Sequence, residues 1–395
     1  MLLSLALIFT VGLILGELFG KINIPKFLGM IITGVILGPY VLDLISGDIL
    51  QVSSELRTIA LVVILLRAGL SLDLSDLKRI GRPAILMSFI PATLEIVAII
   101  IIGPLLFDIS YLEAAILGSV IAAVSPAVIV PKMIKLIDHK WGDKKKIPQL
   151  ILASASVDDV FVIVLFTSFL EMYTSGSYSV ASLSLIPVAI ILGIVLGIII
   201  GYILSVLFAK MRVRDTVKLL IILAASFFVL SFESYIDQIV PISGLLSVMV
   251  IGITFLNKSE TRAIRLRKKF DTVWVFAELV LFVLVGAAVD VTLALSAGLF
   301  AVVILTGGLI LRFVGVQLSL LNTNLNKNER IFCGVSFLPK ATVQAAIGAI
   351  PLAVGVTSGS LILALAVLSI MLTAPIGAIL IDLTYKKLLA NDSPE

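Results

Sequence analysis

Two adjacent carboxylates interrupt an apolar stretch of the chain, in Ser154-Ala155-Ser156-Val157-Asp158-Asp159-Val160. Neighbouring residues on a helix point about 100° apart, so the two carboxyls face different surroundings. Asp159 shares a face with Ser156 and Asp158 shares one with Ser154, three and four residues earlier. One face therefore offers a carboxylate and a hydroxyl, both hard oxygen ligands suited to a small cation. A shared-proton aspartyl dyad needs an Asp from each of two helices, a geometry that neighbours on one helix do not make easily.

Further ionisable residues stand within apolar runs: Arg67, Arg312, Lys340, Glu95 and Glu278, with Glu17 nearer a helix end. At a bilayer centre each costs about 2.5–3.5 kcal/mol on insertion scales, and such groups mark pathways or paired sites. Arg67 and Glu278 read equally well as structural ion pairs. Metal and thiol chemistry have little support, because the chain holds one histidine (His139, in a charged loop) and one cysteine (Cys333).

The elements that must position these groups are membrane helices. Of 395 residues, 60% are hydrophobic and 14% charged, against roughly 25% charged in a soluble domain. Apolar runs between polar punctuation predict about 13 transmembrane helices, near residues 2–19, 27–42, 56–72, 83–106, 111–137, 148–172, 183–209, 216–232, 241–256, 271–289, 292–320, 330–354 and 358–384. The first run is read as a retained helix and not a signal peptide, since Lys21 and Lys26 follow it and no basic residue precedes it.

Alternate loops concentrate the basic residues: Lys21 and Lys26, then Lys78, Arg79 and Arg82, then the runs Lys132 to Lys146, Lys210 to Lys218 and Lys258 to Lys269, then Lys327 and Arg330, then Lys386 and Lys387. Of the 29 Lys and Arg, only Arg57, Arg67, Arg312 and Lys340 fall elsewhere. Cytoplasmic loops carry such an excess, so the pattern predicts an external N-terminus and a cytoplasmic C-terminus in a multi-pass protein of the cell membrane. Asp43, Asp48, Glu55, Asp108, Glu113, Glu171, Glu233 and Asp237 fall on the outer side. The net charge of +4 is thus a topology signal, and nucleic acid is not expected as a partner.

Two spans look broken. The fifth holds Val124-Ser125-Pro126-Ala127-Val128-Ile129-Val130-Pro131, and the twelfth holds Phe337-Leu338-Pro339-Lys340-Ala341-Thr342-Val343-Gln344-Ala345-Ala346. Each proline removes a backbone donor and crowds the previous turn. Interrupted helices at membrane depth are tolerated where they line a cavity or coordinate ions. The two are an odd number of spans apart and so run in opposite directions, and paired breaks of this kind point to a transporter's midplane site.

On these residues the chain resembles the monovalent cation:proton antiporter superfamily, in the Asp-Asp (cation:proton antiporter type 2) branch of sodium/proton exchangers. Leu66-Arg67-Ala68-Gly69-Leu70, Ser125-Pro126-Ala127-Val128 with Val130-Pro131, and Leu338-Pro339-Lys340-Ala341-Thr342-Val343-Gln344-Ala345 carry the resemblance together with the Asp pair. It implies an all-α polytopic membrane protein with inverted repeats, two crossed broken helices and no cofactor. It also implies one membrane domain over 1–395, a homodimer with dimerisation helices near 1–45 and 183–256, and core helices near 56–172 and 271–384 that move like an elevator. By the same resemblance Asp159 binds the cation, Asp158 is its ionisable companion, and Lys340 offsets the broken helix ends. Two positions depart from the pattern: Ser125 stands where many relatives carry Asp, and Arg312 where many carry Lys. Arginine stays charged where a desolvated lysine can lose its proton.

The expected activity is exchange of Na+ or Li+ for H+, the two competing for Asp159 and Asp158 with Ser156 and Ser125 nearby. A buried carboxylate balanced between desolvation and a neighbouring cation can be set to titrate near the working pH. Glu95 is the expected partner of Arg312, and a Glu95→Arg/Arg312→Glu swap is expected to rescue part of the loss caused by either single change. Exchange of K+ for H+ and a cation channel are the alternatives, with a sodium-coupled symporter of an organic anion and an intramembrane enzyme further behind. Gly193, Gly197 and Gly201 form a small-residue ridge for close helix packing. Lys144, Lys145 and Lys146 could meet lipid headgroups, although topology accounts for them.

Overall fold

The computed structural model describes residues 1–22, 24–71, 81–174, 180–211, 213–236 and 242–392, with the backbone alone at 180–187, 234 and 236. Lys78, Arg79, Arg212 and Asp237 lie outside the described residues. Every regular element among the described residues is a helix. In order, the helices are α1 (Leu2–Lys21), α2 (Lys26–Leu37), α3 (Gly47–Gln51), α4 (Ser53–Gly69), α5 (Arg82–Phe107), α6 (Tyr111–Ala122), α7 (Pro126–Asp138), α8 (Ile147–Thr174) and α9 (Val180–Lys210). They continue with α10 (Asp215–Ile236), α11 (Gly244–Lys258), α12 (Glu260–Ala287), α13 (Val291–Ser319), α14 (Lys327–Ser336), α15 (Thr342–Ile347), α16 (Ile350–Ala353) and α17 (Gly359–Leu388).

Each apolar run of the sequence coincides with a helix or with consecutive helices. Among the described residues nine helices are long and apolar enough to cross a membrane, and Lys26–Leu37, Gly244–Lys258 and Thr342–Ala353 are shorter apolar ones. The clearest boundary difference is α12, which begins at Glu260, well before the apolar run at 271. Its first turns carry Arg262, Arg265, Arg267, Lys268 and Lys269, and Arg and Lys are good helix formers. The helix therefore continues past its apolar part. Asp290 caps α13, accepting the N–H groups of Thr292 and Leu293 at 2.9 and 3.2 Å. The Thr292 hydroxyl bond and these amides hold its carboxyl below the ordinary range.

The chain forms two compact units, one of Met1–Ser54, Ser75–Val162 and Leu281–Glu395, the other of Glu55–Leu74 and Ile163–Val280. Within the second unit α9 lies against α11 along the glycine ridge. A Cβ at Gly193, Gly197 or Gly201 would sit 2.7, 2.6 or 2.8 Å from the carbonyl oxygens of Ser243, Ser247 and Ile251. Only glycine permits that approach. Arg67 also belongs to this unit, donating from Nε to Asp271 at 2.5 Å and lying over the Trp274 ring; it is a partly exposed structural pair.

The first unit holds the sites of interest. One end of it packs Ile147, Leu150, Ile151 and Ala155 of α8 against Phe332, Cys333 and Phe337 in a buried apolar cluster. The chain end joins it there: the Gly142 N–H donates to the Ala390 carbonyl and the Asp392 N–H to that of Lys140, both at 2.8 Å. The base of α8 is thus tied down close to the Asp pair.

Candidate ion-binding site

The breaks seen in the sequence are real, and they touch. Residues 123–125 separate α6 from α7, and residues 337–341 separate α14 from α15. A residue before proline is pushed out of the helical region; Ser125, before Pro126, is extended at φ −92° and ψ 112°. Pro126 then opens α7, where its missing N–H costs nothing. Pro131 lies inside α7 and not at the break. In the second break the carbonyl of Pro339 accepts the N–H of Ser125 at 2.9 Å, so the two interruptions cross as hydrogen-bonded extended segments. The N–H of Lys340 donates to Thr373 Oγ1 on α17 at 2.9 Å.

A helix ending at membrane depth leaves carbonyls without N–H partners, and it concentrates partial negative charge there. Buried side chains take up those carbonyls. Lys340 Nζ donates to the carbonyl of Ala122, the last residue of α6, at 3.1 Å, and Arg312 Nη1 donates to the same oxygen. Arg312 Nε donates to the carbonyl of Phe337, at the end of α14, at 2.8 Å. The guanidinium also stacks over the Phe337 ring, 5.5 Å from its centroid.

The same two cations hold two carboxylates. Glu95, from α5, accepts from Arg312 Nη1 at 2.9 Å and from Lys340 Nζ at 2.7 Å through one oxygen. Arg312 Nη2 reaches both oxygens of Asp158 at 3.0 and 2.9 Å, and Asp158 Oδ2 also accepts the N–H of Val124 at 2.9 Å. Arg312, Lys340, Glu95 and Asp158 are all fully buried, at 0% exposure. Buried charges persist only when paired and hydrogen-bonded, and these four compensate one another.

Asp159 stands outside that network. It is buried, and its Oδ1 has no hydrogen-bond partner among the described residues. The hydroxyls of Ser125 and Thr342 and the Oε1 of Gln344 are buried and partnerless in the same sense. The Ser156 and Ser154 hydroxyls donate back to the Leu152 and Leu150 carbonyls of their own helix, at 3.0 and 2.7 Å. Their lone pairs remain, but no bond links them to the Asp pair.

Gln344 had no role in the sequence reading. It donates from Nε2 to the carbonyls of Ile121 and Ala123 at 2.9 and 2.7 Å, completing the end of α6. Its signal was a polar amide within an apolar span, one turn past a break. No sequence rule tells which carbonyls such an amide will reach.

Residues 5–387 match the family described as "Sodium/hydrogen exchanger, transmembrane". The chain is 31% identical over 392 residues to sodium/hydrogen exchanger 9B2 of Mus musculus, covering 95% of this chain and 71% of that protein. It is 32% identical over 411 residues to the 9B2 exchanger of Bison bison bison, covering 98% and 75%. Its fold is similar to that of the sodium proton antiporter MjNhaP1 from Methanocaldococcus jannaschii at pH 8, with a TM-score of 0.85 over 97% of each chain at 19% identity. The family match runs through the crossed breaks and every member of the buried charge cluster, and the chain belongs to the sodium/hydrogen exchanger family.

Proposed function

We propose that this protein is an antiporter that exchanges Na+, or Li+, for H+ by competition at Asp159. The charge count of the buried cluster carries the reading. Two cations, Arg312 and Lys340, are matched by two carboxylates, Glu95 and Asp158, which leaves Asp159 as the one uncompensated acid. With a proton or a sodium ion on Asp159 the cluster is neutral; empty, it carries one buried negative charge. An uncompensated charge in a low-dielectric interior is costly, so the empty site resists passing through the membrane while either loaded site does not. That asymmetry is what obligatory exchange requires.

Arg312 keeps its charge under physiological conditions and occupies both oxygens of Asp158. Asp158 is then a fixed counter-charge, and each transit carries one cation or one proton. Ser125, next to the crossing, supplies a neutral hydroxyl, and Ser156 lone pairs are available on the Asp159 face. The family resemblance supports alternating access in a homodimer, with thirteen crossings, an external N-terminus and residence in the cell membrane. No cofactor, nucleic acid or enzymatic step enters this reading.

The test is exchange by purified protein in sealed proteoliposomes. Na+ and Li+ gradients are expected to move protons, at a rate insensitive to a clamped membrane potential. Asp159→Asn, which cannot ionise, is expected to abolish that movement. Undiminished exchange in this variant would refute the assignment. Running K+ alongside decides the ion, and conductance beyond carrier rates would instead indicate a channel.

A further inference from the structure

Gln344 sits in the first turn of α15 with no solvent exposure. Both hydrogens of its side-chain amide are spent on the carbonyls of Ile121 and Ala123. Only an NH2 group can donate to two carbonyl oxygens, so this arrangement settles which end of the amide is nitrogen and which is oxygen. Oε1 is therefore held at a defined position, buried, with no donor among the described residues. Buried acceptors in native proteins nearly always have a partner, and one left open calls for an explanation.

The surroundings supply one. Ala123, which Gln344 holds, directly precedes Val124, whose N–H is held by Asp158. Ser125 follows, with its hydroxyl equally without a partner. Asp159, adjacent to Asp158 in the chain, has its own open oxygen. Open oxygens of Asp159, Ser125 and Gln344 thus belong to residues of this crossing, together with the second oxygen of Glu95, whose charge Arg312 and Lys340 already compensate.

We propose that Gln344 is a specificity-determining residue whose Oε1 coordinates the transported monovalent cation together with Asp159. This rests on the reading of Asp159 as the exchange site. In the proton-loaded state the same oxygen accepts the O–H of protonated Asp159, so both loaded states satisfy it and the empty state does not. Discrimination among monovalent cations depends on the number and field strength of the coordinating oxygens. An amide oxygen has a weaker field than a carboxylate and does not titrate. Gln344 therefore tunes the choice of cation, whereas Asp159 sets the competition with protons. Its reach is fixed by the end of α6, where it holds the carbonyls on either side of the Ala122 carbonyl that Arg312 and Lys340 cap.

The experiment compares wild type, Gln344→Leu and Gln344→Asn in proteoliposomes, reading KM and kcat separately for Li+, Na+ and K+, and reads the thermal stabilisation of each protein by the three salts in detergent. Gln344→Asn keeps an amide but is one methylene shorter. It is expected to change the ratio of KM values between cations by roughly tenfold, the size of one modest ligand interaction. Gln344→Leu is expected to raise KM for the preferred cation and to lose most of its stabilising effect on unfolding. A purely structural clasp would lower kcat and stability alike for all cations and leave the KM ratios and relative salt effects unchanged; that result overturns the proposal. Should Gln344→Leu not fold, the Asn variant carries the test alone. Absence of Na+-dependent proton movement in the wild type would instead overturn the exchange reading itself.

Discussion

Arg312 is the residue on which the buried network turns. It donates to five acceptors: the carbonyls of Phe337 and Ala122, Glu95 Oε2 and both oxygens of Asp158. Lysine carries three donors on a point charge, without the planar fork of a guanidinium. Arg312→Lys is thus expected to leave at least one buried acceptor open and to destabilise the protein by about 1–3 kcal/mol. Arg312→Ala strands Asp158 and should cost about 3–5 kcal/mol. Unfolding in detergent measures both, and wild-type stability in Arg312→Lys would contradict the network. The structure also changes the expected result of the charge swap. A pair in isolation would be rescued by Glu95→Arg/Arg312→Glu, but here a cation at position 95 would face Lys340 and an anion at position 312 would face Asp158. The swap is expected to give no rescue.

At the scale of elements, the site depends on how closely α13 approaches α5, since these helices bring Arg312 to Glu95. Two glycines of α13 set that distance. A Cβ at Gly315 would lie 2.6 Å from Pro91 Cα, and one at Gly308 would lie 3.3 Å from Glu95 Cγ. The first contact is with backbone and has no flexible end to yield. Gly315→Ala is therefore expected to force the helices apart, costing about 1–3 kcal/mol as an overpacked contact does, and to slow exchange by disturbing the Arg312–Glu95 bond. A melting temperature and exchange rate equal to wild type would show that the approach is not limiting. The broken helices follow the same logic: three successive residues at the end of α6, Ile121 to Ala123, give their carbonyls to Lys340, Arg312 and Gln344, so their stability is a tertiary property.

For the whole molecule, the arrangement of charge along the chain supports an orientation that labelling can test. The native Cys333 is fully buried, which gives a quiet background for introduced cysteines. Asp48→Cys and Lys269→Cys replace exposed residues, one in the short α3 and one in the polar first turns of α12, which the charge pattern assigns to the outer and cytoplasmic sides. In intact cells a membrane-impermeant maleimide is expected to label Asp48→Cys and to reach Lys269→Cys only after permeabilisation. The reverse pattern would invert the topology.

Much of this protein was legible in its sequence because membranes make composition speak. Lipid tolerates helices whose backbone bonds are internal and penalises ionised groups, so apolar length marks the elements and the few charges at depth mark Glu95, Asp158, Asp159, Arg312 and Lys340. Proline chemistry located both breaks, although Pro131 proved to be an interior residue of α7. The tertiary structure alone decided who holds whom. Residues far apart in sequence meet at the crossing, so only the fold could reveal that Glu95 serves two cations at once, that Asp158 is fully engaged by Arg312 and Val124, and that Gln344 completes the end of α6. Sequence marks which groups must find partners, because an unpaired charge in lipid is prohibitive; the pairing itself is geometry, and it is geometry that leaves Asp159 Oδ1 without a partner among the described residues, as the proposed exchange at this carboxylate requires.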